Sequence, residues 1–308
     1  IGKGAEQGIL VKDAQSLETA YKINTLILDK TGTITEGKPQ VTDIIWEKNT
    51  VSDTLEKVVL AIESQSEHPI AEANVKHLKK TATELIATES FQSITGLGTE
   101  AIVNNKRYRI GNENLMLQNN INIPTTLRQK ANDLKLEAKT VVYISQHDTM
   151  AGIIAVADKV KETTASAINK LQQMGIDIYM LTGDNEQTAK ATAQQVGIKH
   201  FQANVMPAEK GKFVEQLQKQ GKVVAMAGDG INDSHALAQA DVGIAMGNGT
   251  DIALESAGIT LMQSDLKQIV KAIQLSKATM KTIEQNLFWA FIYNLIAIPI
   301  AAGILYPF

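Results

Sequence analysis

The 308 residues include no cysteine, which excludes disulfides and thiolate metal ligands within this stretch but does not fix a redox compartment. Strong charge of either sign is also missing. Thirty basic and 33 acidic residues leave a formal net charge of −3, so nothing in the balance directs the chain to nucleic acid. There is no internal repeat and no low-complexity tract. The chain opens at Ile1 without a charged-then-apolar leader pattern, and its last 24 residues, Gln285 to Phe308, carry no charged side chain. Together these two ends predict a piece of a longer protein. What remains is ordinary: 44% hydrophobic and 20% charged residues suit a soluble core over most of a length comfortable for two domains.

As a helix, the uncharged terminal run would reach ~36 Å at ~1.5 Å per residue, against a bilayer core of ~30 Å. Phe288, Trp289, Phe291 and Tyr293 at its start and Tyr306 near its end suit membrane interfaces, and Lys277 and Lys281 suit a cytoplasmic flank. A transmembrane helix is therefore expected over 281–308. The lipid bilayer is its partner, and residues 1–280 lie on the cytoplasmic side of a cell membrane.

Four regions precede or include that run. Residues 1–36 comprise a lead-in, with a short helix from Ala14 to Tyr21, and an apolar strand at Thr25–Leu28 broken by Gly32. Residues 37–152 read as two helices, Asp53–Ser64 and Pro69–Lys80, followed by short strands at Ala101–Val103, Arg107–Ile110, Val141–Ser145 and Gly152–Val156. This pattern predicts an antiparallel sheet with helices on it. Residues 153–280 alternate helix and strand, with strands at Ile178–Leu181, Val223–Ala227, Val242–Ala245 and Ile259–Met262, the pattern of a parallel sheet covered on both faces. The strand at 25–28 belongs with this second set, so 37–152 reads as an insertion into a split α/β domain. The terminal helix begins at Asp265, with Leu266, Ile269, Val270 and Ile273 at helical spacing.

In an open parallel sheet, ligands bind beyond the carboxyl ends of the strands. Here one strand ends in Asp29, one in Thr182-Gly183-Asp184 and one in Gly228-Asp229-Gly230-Ile231-Asn232-Asp233. Any one of these residues can be a helix cap, but caps do not need several carboxylates with glycines between them. Clustered carboxylates need a cation, and hard oxygen donors favour Mg²⁺ bridging to phosphate. Asp29 is placed to act as a carboxylate nucleophile that forms an acyl phosphate. Gly32 lets backbone approach a phosphate closely, and Lys210, just after Pro207, is placed to neutralise transferring oxygens.

Asp29-Lys30-Thr31-Gly32-Thr33-Ile34-Thr35 resembles the phosphorylation motif of P-type ATPases, and the Thr182 and Gly228 segments resemble that family's two further motifs, in the same order. The resemblance covers essentially the whole chain. It implies an α/β fold: a haloacid-dehalogenase-like doubly wound parallel sheet, an inserted α+β antiparallel-sheet nucleotide-binding domain, and a C-terminal transmembrane helix. It makes Asp29 the phosphate acceptor and gives Thr31 phosphate and Mg²⁺ contacts. Thr182 and Gly183 would hold phosphoryl oxygens, with Asp184 at the hinge between domains. Lys210 would face the phosphate, Asp29, Asp229 and Asp233 would hold Mg²⁺, and Asn232 would complete the site. His235 departs from the pattern, standing where the family usually has proline.

Within the insert, Ser66-Glu67-His68-Pro69 resembles the segment by which heavy-metal pumps hold adenine, and Glu63, Gly96, Gly98, Gly111 and Asn112 match the nucleotide site of the same subgroup. ATP is the implied substrate. In the terminal run, the Tyr293-Asn294 pair followed by Pro299 is similar to monovalent-copper pumps, and the lysine usual in zinc and cadmium pumps is absent. The resemblance thus implies Cu⁺ as cargo, with silver, zinc and cadmium as alternatives. The remaining membrane and actuator domains of the same chain, and a copper chaperone, are the implied partners. A soluble phosphohydrolase of the same superfamily is the rival, but such enzymes usually place a second Asp two residues after the nucleophile. Here that position is Thr31, which cannot act as an acid or base near neutral pH.

Overall fold

The computed structural model describes residues 2–48, 51–81, 86–229, 233–247 and 255–302. Two sheets organise them. The first has seven strands: β1 (Ile9–Val11), β2 (Thr25–Asp29), β9 (Asp177–Leu181), β10 (His200–Gln202), β11 (Val224–Gly228), β12 (Val242–Met246) and β13 (Ile259–Leu261). Their order is β1-β13-β12-β11-β2-β9-β10, all parallel except the antiparallel edge pair β1–β13. The lead-in thus contributes an edge strand as well as the expected helix, found at Ala14–Ala20.

Strand β2 is buried at every position because helices cover both faces. Leu26 and Leu28 join a core with Ile168 and Leu171 of helix Thr164–Gln173, Ala189 and Ala193 of helix Glu186–Val196, and Ile269 and Ile273 of the terminal helix. Ile27, which points the other way, packs with Val214, Leu217 and Leu237. This two-sided burial is why the sequence shows continuous apolar runs rather than alternation.

The second sheet is antiparallel, with six strands in the order β3-β8-β7-β6-β5-β4. These are β3 (Gln40–Trp46), β4 (Ser90–Ile94), β5 (Gly98–Val103), β6 (Lys106–Gly111), β7 (Thr140–Gln146) and β8 (Thr149–Ala157). Helices α3 (Ser52–Glu63) and α4 (Pro69–Leu78) cover one face through Leu55, Val58, Ile62 and Leu78. Helices α5 (Glu113–Gln118) and α6 (Thr125–Leu136), neither anticipated, cover the other through Met116, Leu127 and Ala131, which pack with Tyr143 of β7. The chain enters at Gln40 and leaves at Ala157, which are register partners, so both crossings to the parallel sheet lie side by side.

The terminal helix starts after Asp265, as its spacing predicts, and runs as one helix, Leu266–Ala301, whose first turns bury Leu266, Ile269, Val270 and Ile273 against the parallel-sheet core. Among the described residues, no helix is long and apolar enough to cross a membrane. Glu284, Gln285, Asn286 and Asn294 dilute the apolar run, and its last six residues lie outside the described ones. The side chains of Phe288, Trp289, Phe291, Leu295 and Ile298 are nevertheless exposed.

Candidate active site

Parallel register makes neighbours of three strand ends: Leu28 sits between Met180 of β9 and Ala227 of β11. Asp29 therefore lies beside Thr182-Gly183-Asp184 and Gly228-Asp229. The side chain of Asp29 is 7% exposed. Lys210, buried four residues into the helix Pro207–Lys219, donates from Nζ to Asp29 Oδ1 at 2.5 Å and to Asp233 Oδ1 at 2.6 Å. Asp29, Asp229 and Asp233 each offer a carboxylate oxygen within 4.8 Å of the others.

The electrostatics follow from this crowding. Burial, then the charge of Asp233, raise Asp29 from 3.8 to about 7 against the opposing pull of Lys210. Burial and Asp233 likewise raise Asp229 to about 6. Burial disfavours the charge on Lys210, but Asp29 and Asp233 outweigh it and hold the ammonium above the usual lysine range. An oxygen-only donor set with more carboxylates than cations fits a hard divalent ion such as Mg²⁺.

Residues Lys30–Ile34 form a wide turn closed by Thr35 N–H donating to the Lys30 carbonyl at 3.0 Å. Within it Gly32 has φ +74°, and a Cβ there would lie 1.6 Å from Asp229 Oδ2. Only glycine allows this turn to touch that carboxylate. Thr31 is exposed at the mouth of the turn, while Thr35 Oγ1 donates to Asp158 Oδ2 at 2.5 Å. The Thr182 hydroxyl accepts from Asp184 N–H at 3.1 Å, and Gly183 is exposed beside it. Asp184 pairs with the buried Lys30 and accepts from Thr140 Oγ1 of the antiparallel sheet at 3.2 Å. Asn232, with Gly230 and Ile231, lies outside the described residues. His235 lies in the helix Ser234–Gln239 with its ring against Gly211, where a Cβ would meet Nδ1 at 2.2 Å. The missing β-carbon of Gly211 makes room for that ring.

The insert's candidates form two groups. Gly96, Gly98, Gly111 and Asn112 meet where β5 begins and β6 ends. Asn112 caps α5, and its Nδ2 donates to the Gly96 carbonyl at 2.8 Å. Gly98 has φ +145°, and a Cβ on Gly111 would lie 2.2 Å from the Leu97 carbonyl, so side chains are excluded from this corner. In the second group, Glu63 is buried at the end of α3, where desolvation raises it to about 7 against the pull of Asn74. Glu67 is exposed. His68 caps α4, with Nδ1 accepting from Ile70 N–H at 3.2 Å. Nearby protein lowers the His68 pKa, opposed by Asp184, and a ring accepting at Nδ1 is neutral. Both groups face the parallel-sheet site: Asp184 is within electrostatic reach of His68, and Met206, which precedes Pro207, lies nearest to Gly96.

Tyr293 and Asn294 are remote from all of this. Tyr293 is 72% exposed, and Asn294 Nδ2 turns back to the Ala290 carbonyl at 2.9 Å. The sequence reading missed Lys161, Asp158 and Thr140, whose polar partners lie 44 to 129 positions away. It also missed the Lys30–Asp184 pair, although both residues lie in motifs it singled out.

Residues 23–241 match the family described as haloacid dehalogenase-like hydrolase. The whole chain is 46% identical over 308 residues to a copper-exporting P-type ATPase of Legionella pneumophila, and spans 41% of its length. Among solved structures, a zinc-transporting PIB-type ATPase in the E2.Pi state superposes with a TM-score of 0.71 at 34% identity, over 98% of this chain and 49% of that one. A catalytic CPx-ATPase domain, described for its conformational changes upon nucleotide binding, gives 0.69 at 27% identity, over 88% of this chain and 97% of that one. The chain belongs to the haloacid dehalogenase-like hydrolases and, within them, is the catalytic portion of a heavy-metal P-type ATPase.

Proposed function

We propose that this chain accepts the γ-phosphoryl group of ATP on Asp29, as the energy-transducing part of a copper-exporting pump. The observation that carries the reading is the single ammonium of Lys210 shared by Asp29 and Asp233, with Asp229 alongside. A carboxylate oxygen of Asp29 forms the new bond to phosphorus, the bond from phosphorus to the β–γ bridging oxygen breaks, and ADP leaves. Lys210 favours the ionised form of Asp29 against its burial and offsets charge on the oxygens in transfer. Asp29, Asp229 and Asp233 would hold Mg²⁺, which would supply further positive charge to those oxygens. Thr182 and Gly183, at the neighbouring strand end, hold the phosphoryl oxygens. Thr31, exposed and without a titratable proton, leaves the acyl phosphate unhydrolysed until the actuator domain of the longer protein acts on it.

In the insert, the glycine corner at 96–98 and 111 admits nucleotide close to backbone, while Glu63, Glu67 and the neutral His68 orient the purine. Closure of the insert onto the Lys210 helix brings the γ-phosphate to Asp29. The copper reading is supported by 46% identity to a copper exporter, above the 34% to a zinc transporter and level with the 47% to a silver exporter, and by Tyr293-Asn294 without a nearby lysine. The exposed aromatic and aliphatic side chains from Phe288 to Ile298 suit a lipid bilayer and neighbouring helices, and a copper chaperone would deliver cargo to the whole pump.

Incubation with γ-labelled ATP and Mg²⁺ tests the phosphorylation. The expected result is an acid-stable, hydroxylamine-labile label that disappears in Asp29→Asn; a label surviving that change sinks the assignment. For cargo, Cu⁺ should stimulate ATP hydrolysis by the complete protein, and stimulation by Zn²⁺ alone would replace copper with zinc.

A further inference from the structure

The ammonium of Lys161 has three donors, and all three are used. They reach the Gly32 carbonyl, the Thr33 carbonyl at 3.2 Å and Ser264 Oγ at 2.7 Å. Ser264 Oγ in turn donates to the same Gly32 carbonyl at 3.0 Å, so that oxygen is held twice. The backbone around Lys161 grips the same turn: its N–H donates to the Ile34 carbonyl at 3.1 Å, and Thr164 Oγ1 donates to that carbonyl at 3.0 Å. One residue beyond Ser264, Asp265 accepts from Thr163 Oγ1 at 2.8 Å and caps the terminal helix.

Glycine gives Gly32 the left-handed backbone that its contact with Asp229 requires, but it also frees the flanking peptides to rotate. A rotation that turned the Gly32 or Thr33 carbonyl toward the carboxylates would add negative charge where a phosphoryl group must enter. We infer that Lys161 is a positioning residue for phosphoryl transfer: it pins the two carbonyls of the phosphorylation turn and ties that turn to the start of the terminal helix through Ser264. The inference rests on the phosphorylation reading above.

Three measurements on the full chain test it. At saturating ATP, Lys161→Met should slow labelling of Asp29 by at least about tenfold, as misplacement of a reacting group does. Affinity for a fluorescent ATP analogue should stay within about twofold, since ground-state binding is untouched. Lys161→Arg, which keeps the charge and several donors, should recover most of the rate. In the metal-free chain, ¹³C-threonine, ¹⁵N-glycine labelling isolates Gly32 among three Thr-Gly pairs, and its amide resonance should move in Lys161→Met. Wild-type labelling rates in Lys161→Met would overturn the inference, as would a Gly32 resonance that stays put. Should Lys161→Met not fold, Ser264→Ala takes its place: slower labelling with unchanged nucleotide affinity supports the clamp, and an unchanged rate refutes it. A wild-type chain that takes no label refutes the phosphorylation reading instead, and the Gly32 resonance then still decides whether Lys161 orders the turn.

Discussion

With Lys210 replaced by methionine, Asp29 and Asp233 would face each other in a buried site with no ammonium between them. Removing one partner of a buried ion pair costs roughly 3 kcal/mol or more, because the remaining charge is uncompensated. Lys210→Met should therefore lose about that much unfolding free energy near pH 8 and less near pH 5.5, where a carboxylate can protonate instead, as urea titrations at both pH values would show. The unmutated site carries its own pH dependence. Asp29 is raised from 3.8 to about 7, Asp229 from 3.8 to about 6 and Glu63 from 4.5 to about 7. Between the unfolded and folded values the native state binds more protons than the unfolded one, so stability falls as pH rises through about 4 to 7. The metal-free chain should melt at a lower temperature at about pH 7.5 than at about pH 5.5, and Asp29→Asn should flatten that slope. Added MgCl₂ should raise the melting temperature mainly at the higher pH, where the carboxylates are ionised to bind it. An equal Mg²⁺ effect at both pH values would count against these carboxylates as its ligands.

At the scale of elements, the turn Lys30–Ile34 sets the distance between the first strand end and Asp229. In Gly32→Ala the new methyl would lie 1.6 Å from Asp229 Oδ2 on a backbone at φ +74°, so strand and carboxylate must part. The variant should lose at least about 1 kcal/mol of stability, the minimum for alanine at positive φ, and should lose phosphorylation far beyond that, since the reacting groups no longer meet. Thermal melts alongside labelling rates separate the two effects. This element was legible in the sequence because its chemistry is contiguous: an apolar strand, a carboxylate and then a glycine. The parallel sheet was legible for the same reason, since strands buried on both faces read as apolar runs. The three residues of β10 and of β1 give no such period. In α6, Leu127, Ala131 and Leu134 do recur at helical spacing, but the buried face also holds Lys135 and the neighbours are polar, so the signal is weak. Lys161 was invisible because nothing local distinguishes it from a solvated lysine; only the fold brings it to a turn 129 residues earlier. The terminal helix was legible from its first turns, where Leu266, Ile269, Val270 and Ile273 recur at helical spacing and are buried.

The described residues form two sheets, each with an apolar core on both faces, joined by two adjacent crossings. Leu26 and Leu28 on one face of β2 and Ile27 on the other belong to the parallel sheet's cores, while the insert buries separate sets on its own two faces. Because Gln40 pairs with Ala157, excising the insert cuts the chain at two points already in contact, and the excised piece keeps the pairing between its first and last strands. Ending it at residue 152 would remove half of β8, which pairs with both β3 and β7; ending it at Ala157 preserves all six strands. Among the described residues, the links that excision breaks include the hydrogen bonds from Thr140 Oγ1 to Asp184 Oδ1 and from Thr188 Oγ1 to the Lys139 carbonyl at 3.0 Å, and the approach of Met206 to Gly96. Such part-buried hydrogen bonds contribute about 1 kcal/mol each, whereas the insert's two apolar cores go with it. Residues 37–157 alone should therefore unfold in one cooperative transition, and ATP at about 100 times its dissociation constant should stabilise them by about 2.7 kcal/mol. His68→Ala and Gly98→Val should erase that gain without Asp29 being present. If the isolated piece folds but ATP leaves its melting temperature unchanged, the nucleotide needs the parallel sheet's face as well, and Met206 and Asp184 become the contacts to examine.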